Sequence, residues 1–190
     1  LYNAMARVIV ITSGKGGVGK TTTTSNIGMA LARLGHNTLL VDADVGLRNL
    51  DLLLGLENRI IYTGLDVLAK TCRLEQALIQ DKRQSKLTFF PLSSNQAKTP
   101  ITKPQIEELI SLVEEKYEFI LIDSPAGIDE GFKTSIAPAK EAIVVVTPEV
   151  PSIRDADKVI GILVAQGIKK ISLLINRIRP KMVKTDDMMS

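Results

Sequence analysis

One cysteine (Cys72), one histidine (His36) and no tryptophan occur in the 190 residues of this chain. A single thiol cannot close an internal disulfide, which points to a reducing compartment. It also argues against an iron–sulfur cluster shared by two subunits, because each subunit would have to supply two thiolates. Cys72 is therefore read as a buried, inert thiol and His36 as a solvent-facing turn residue. No apolar run approaches the ~18 residues of a membrane-spanning helix, and no signal peptide is visible. Internal repeats and low-complexity segments are also missing. Charge is nearly balanced, with 24 Lys+Arg against 21 Asp+Glu and a net charge of +3. That weakly favours anionic partners such as nucleotides or acidic lipid and lies far from a nucleic-acid-binding extreme.

The apolar content, 45%, fits one compact domain. Residues 7–190 are read as that single domain, incomplete at its C-terminus, with residues 1–6 as an N-terminal extension or a cloning remnant. The strongest local signal is Gly14-Lys15-Gly16-Gly17-Val18-Gly19-Lys20-Thr21-Thr22. Gly14, Gly19, Lys20 and Thr21 satisfy the phosphate-loop pattern G-x-x-x-x-G-K-[ST], between a β-branched apolar run and a helical pattern. Glycines let the backbone adopt conformations in which N–H groups turn inward around a phosphate. A helix beginning at Lys20 adds unpaired amides and the positive end of its dipole. Lys20 is placed to reach the β- and γ-phosphates of a nucleotide, the Thr21 hydroxyl to coordinate Mg²⁺, and Thr22 to donate to the next phosphate. A plain glycine turn would not need Lys20 followed by Thr21.

Lys15 is an unusual second ammonium, one residue after the first glycine. One reading is a solvated surface lysine. The sharper one is a charge on the outer rim that meets the phosphates of a facing subunit, an effect worth about 10³–10⁵ in rate where arginines supply it.

The rest of the chain alternates strands and helices, which predicts a doubly wound α/β fold with a mainly parallel sheet and helices on both faces. Strands are expected at Val8–Thr12, Thr38–Val41, Leu87–Leu92, Phe119–Asp123, Ala142–Thr147 and Ile171–Ile175, six in all with no seventh. Helices are expected at Lys20–Leu34, apolar or small over most of its circumference, from Pro104, and from Pro151. Residues 60–80 read as short helical pieces, with Thr63 as a cap. Asp42 and Asp44 stand at the carboxyl end of the second strand, where open α/β sheets collect ligands. Asp42 is read as contacting the water shell of a bound metal and Asp44 as orienting an attacking water, against the plainer roles of loop solvation or helix capping. Asp123 ends an apolar strand in the Walker B manner and becomes the expected Mg²⁺ partner once coupled to the phosphate loop. Pro125, Gly127 and Gly131 follow in a loop read as a second switch that senses the γ-phosphate. Asn176 and Arg177 end the last strand and are read as nucleotide-binding residues. Asn176 can offer a donor and an acceptor to an adenine edge, or be a simple turn residue.

The stretch from Lys15 to Thr22 resembles the deviant Walker A loop of the MinD/ParA family of ATPases. Asp42-Ala-Asp-Val-Gly-Leu-Arg-Asn-Leu-Asp51 and Ile122-Asp-Ser-Pro-Ala-Gly-Ile128 point to the MinD branch, and residues 52–59 resemble its cyanobacterial and plastid forms most. The resemblance implies ATP and Mg²⁺ as cofactors, an ATP-dependent homodimer, and a role in placing the division site of a cell or plastid. By the same resemblance Asn176 serves the adenine, while Lys15 and Asn49 lie near the dimer interface. A MinC-like inhibitor and a MinE-like activator would be partners. Attachment to the inner face of a membrane, in cytoplasm or plastid stroma, would use a C-terminal basic helix that this chain does not include. Two rivals share the loop chemistry: a ParA-type partitioning ATPase that binds DNA non-specifically, and a nucleotide-gated adaptor with negligible hydrolysis.

Overall fold

β1 (Arg7–Thr12) is an apolar, largely β-branched run, and such runs are stable only where both faces of a strand are covered. A computed structural model describing residues 5–44, 50–94 and 100–179 places it near the middle of the sheet. Val8 and Val10 point into one core and Ile9 and Ile11 into the other, so a single continuous run serves two layers. β2 (Thr38–Asp42) and β5 (Phe119–Asp123) repeat this pattern and are buried along nearly their whole length. The other strands are β3 (Ile79–Gln80), β4 (Leu87–Pro91), β6 (Glu141–Val146) and β7 (Lys170–Ile175). Their spatial order is β3-β4-β2-β5-β1-β6-β7, parallel throughout except that β3 runs antiparallel to β4. The expected mainly parallel doubly wound sheet is thus present, with seven described strands in place of six. The extra one is β3, inside a segment read as helical.

Helices cover both faces. α1 (Lys20–Arg33) and α2 (Leu50–Leu54) lie on one side. α5 (Lys103–Ser111), α6 (Glu130–Ser135) and α7 (Val150–Ala165) lie on the other, together with α3 (Gly64–Leu68) and α4 (Leu74–Ala77). A 3₁₀ turn spans Glu57–Arg59. Thr63 caps α3 in a reciprocal capping box with Asp66. α6 falls in the stretch expected to be a switch loop.

α1 departs from the expectation of broad apolar cover. Its buried stripe is Lys20, Thr24, Gly28 and Ala32, while Leu34 just beyond it is exposed. The helix sits so low on the sheet that a Cβ at Gly28 would come within 2.4 Å of the Leu40 side chain. The fully buried stripe is therefore small and polar, and Ile27, Met29 and Leu31 pack partly buried against the same core. Cys72 is half-buried, not fully buried. His36 is half-buried too: its Nδ1 lies 3.1 Å from Glu118 and its ring packs edge-on against Phe119. No described helix is long and apolar enough to cross a membrane.

Candidate nucleotide site

In a parallel sheet every strand ends at the same edge, so residues far apart in sequence meet there. β2 and β5 pair in register, which sets Asp42 directly beside Asp123. β5 also pairs with β1, so Asp123 lies opposite Ile11, just before the loop that begins at Ser13. Ala43 N–H donates to Asp123 O (3.0 Å), Ser124 N–H to Ile11 O (3.1 Å) and Gly127 N–H to Ser13 O (2.9 Å). These bonds stitch the three strand ends into one rim.

Above that rim opens a cleft of about 540 Å³. Gly16, Gly17, Gly19, Lys20, Thr21 and Thr22 from the phosphate loop line it, with Asp44 and Arg177 from the ends of β2 and β7. Ser13, Ala126, Leu52 and Leu53 complete the lining, and none of these carries a chemical group that marks it as a site residue in the sequence, although the last three fall in stretches that carry the family resemblance. The glycines serve different ends. Gly17 (φ +78°) and Gly19 (φ +95°) occupy the left-handed region that side chains disfavour. Gly14 has an ordinary φ and is needed for close approach, since a Cβ there would lie 2.4 Å from the Asp155 backbone of α7. Gly16 requires neither. Val18 does not line the cleft, because its side chain is buried in the core beneath α1.

Lys20 is the first residue of α1 and is 8% exposed. Its Nζ donates to Asp123 Oδ1 at 2.7 Å, and the Thr24 hydroxyl reaches the same oxygen at 3.2 Å. A buried ammonium needs such a partner, because desolvating an unpaired charge is far costlier than desolvating a paired one. Asp42, 5% exposed, accepts the Asp44 N–H on Oδ1 (3.0 Å). Its Oδ2 is buried and has no hydrogen-bond partner among the described residues. Burial and the neighbouring Asp123 carboxylate push the Asp42 carboxyl up to about 8, against the pull of the Asp44 amide.

An orphaned, buried carboxylate oxygen beside a second carboxylate is what a hard divalent cation would satisfy, and the Thr21 hydroxyl stands at the same cleft. Among the described residues no group of three or more His, Cys, Asp or Glu could hold a metal alone. The donor set therefore fits Mg²⁺ carried with phosphates and water, not a closed all-protein cage.

Lys15 does not line its own cleft. Its side chain is about half exposed and lies 3.8 Å from Glu149 Oε2 at the start of α7. Asn176 does not line it either, and its Nδ2 donates to the Val18 carbonyl at 2.9 Å. Asn49 lies outside the described residues.

Known proteins resemble this chain over nearly its whole length. A family model described as an AAA domain matches residues 6–181. The chain is 74% identical over 186 residues to a septum site-determining protein MinD of Emiliania huxleyi, covering 98% of this chain and 68% of that one. A solved MinC:MinD cell division protein complex from Aquifex aeolicus contains a chain that aligns with a TM-score of 0.87 at 50% identity, covering 97% of this chain and 74% of the other. The septum site-determining protein MinD of Pyrococcus horikoshii, complexed with Mg-ADP, gives 0.80 at 33% identity, covering 98% and 78%.

Proposed function

The chain belongs to the MinD family of septum site-determining proteins, and from that premise we propose that it is a Mg²⁺-dependent ATPase working as a dimerisation switch in division-site placement. The observation that carries this reading is the convergence of the glycine-rich loop, the amino end of α1, Asp42, Asp44 and Asp123 on one rim of the sheet. The glycine-rich loop at the amino end of α1 and the Lys20 ammonium hold a polyphosphate. Thr21, Asp42 and Asp123 are the residues that would hold Mg²⁺ there. When bound, Mg²⁺ neutralises developing charge on the phosphates.

Lys20 has a dual task. Without nucleotide it neutralises Asp123; with nucleotide its ammonium turns to the phosphates and leaves that carboxylate to the metal's shell. Asp44, at the cleft wall, orients the attacking water. Lys15, turned away from its own cleft toward Glu149, acts in trans on the phosphates of a facing subunit. Arg177 lines the cleft at the end of β7 and serves the nucleotide.

ATP thus favours the dimer and hydrolysis returns monomers. A MinC-like inhibitor of division-ring assembly binds the ATP form, in keeping with the MinC:MinD complex solved for Aquifex aeolicus. A MinE-like activator stimulates hydrolysis. The protein works at the inner surface of a membrane, in cytoplasm or plastid stroma.

Light scattering tests the switch directly. The purified protein with Mg-ATP should double its mass relative to Mg-ADP, and phosphate release should require Mg²⁺. Equal masses with both nucleotides, at concentrations that saturate the site, would overturn it.

A further inference from the structure

The sequence leaves Asn176 either to read an adenine edge or to be a turn residue, and in the structure its amide makes bonds on both sides. Nδ2 donates to Val18 O at 2.9 Å, Oδ1 accepts Arg177 N–H at 2.9 Å, and the Asn176 N–H donates to Val146 O at 2.8 Å. Arg177 has φ +61°, so the Oδ1 bond holds a left-handed turn directly after β7. The fit to the phosphate loop is tight, since a Cβ at Gly19 would lie 2.3 Å from Asn176 Nδ2.

Peptide planarity gives this contact a consequence. In a trans peptide the C=O and the N–H of one unit point in opposite directions. The carbonyl of Val18 and the amide of Gly19 belong to the same unit. Anchoring Val18 O on Asn176 therefore aims the Gly19 N–H away from Asn176, and Gly19 lines the cleft. We infer that Asn176 is a positioning residue for the phosphate loop: by gripping the Val18 carbonyl from behind, it sets the Gly19 amide toward a bound polyphosphate. This inference rests on the reading of the cleft as an ATP site. It predicts that Asn176 governs the grip on phosphate even when no base is present.

Inorganic tripolyphosphate supplies that probe. Binding of tripolyphosphate and of ATP, each with Mg²⁺, is measured by calorimetry for the wild-type chain and for Asn176→Asp. That variant keeps the shape and the Oδ1 cap on Arg177 but loses the donor and sets a carboxylate against Val18 O. The expected result is roughly a tenfold loss of affinity for both ligands, the worth of one hydrogen bond plus repulsion. A thermal melt of the ligand-free variant checks that it is folded. Should Asn176→Asp not fold, Asn176→Ser serves: its arm is too short to reach Val18, and roughly three- to tenfold weaker tripolyphosphate binding is expected. Unchanged tripolyphosphate binding in a folded variant, with only ATP weakened, would overturn the inference and leave the ATP reading standing. A wild-type chain that binds neither ligand would overturn both.

Discussion

Replacing Asp42 by asparagine should flatten the pH dependence of stability in the nucleotide-free, Mg²⁺-free chain. The ordinary value for an aspartate is 3.8, and in the folded chain this carboxyl is pushed up to about 8. Below pH ~4 both folded and unfolded states hold the proton, so the site costs nothing. Between pH ~4 and ~8 the unfolded chain releases a proton that the folded chain keeps, and stability falls by about 1.36 kcal/mol per unit. Above pH ~8 the full cost applies, on the order of 5 kcal/mol for a gap of about four units. Asparagine at this position can still accept the Asp44 N–H, and its amide can donate toward Asp123, without carrying a charge. The variant should match wild type near pH 4 and exceed it by several kcal/mol at pH 8. Urea unfolding at pH 5, 6, 7 and 8 reads this as midpoints that diverge at constant slope. Parallel midpoints across that range would refute the claim that Asp42 is buried without a cation in the free chain.

Further outcomes follow from the same geometry. Gly14→Ala should cost about 1–3 kcal/mol, because its Cβ meets the Asp155 backbone, which cannot yield as a side chain can; a urea midpoint within error of wild type would refute the close approach. Subunits carrying Lys15→Ala and subunits carrying Asp44→Ala should each be inactive alone and regain phosphate release when mixed, as expected of a lysine that acts across the dimer. Absence of rescue in the mixture would place Lys15 in its own subunit or outside the reaction.

Much of the fold was legible because parallel strands buried on both faces announce themselves as unbroken apolar runs. Residues 119–123 were placed to the residue for that reason. β3 was not, because two residues at a sheet edge carry no periodicity. α6 was missed because it is polar apart from Phe132 and begins just after a loop rich in Pro and Gly. The phosphate loop was readable because its chemistry is contiguous in the chain. The buried bond from Lys20 to Asp123 spans 103 residues, and that from Asn176 to Val18 spans 158; only folding joins them. Sequence suggested what each of these residues could bind, whereas the structure adds what each one holds before any ligand arrives. Leu52 and Leu53, which wall the cleft, gave no chemical signal beyond their likeness to relatives.

Equilibrium dialysis of ATP against wild type and Lys20→Ala, with Mg²⁺ present and folding checked by circular dichroism, tests the account most directly. A charge-assisted bond to phosphate is worth about 1.5–3 kcal/mol, so the variant should bind ATP roughly 10- to 100-fold more weakly. Equal affinity in the two folded proteins would contradict the placement of a polyphosphate at the loop.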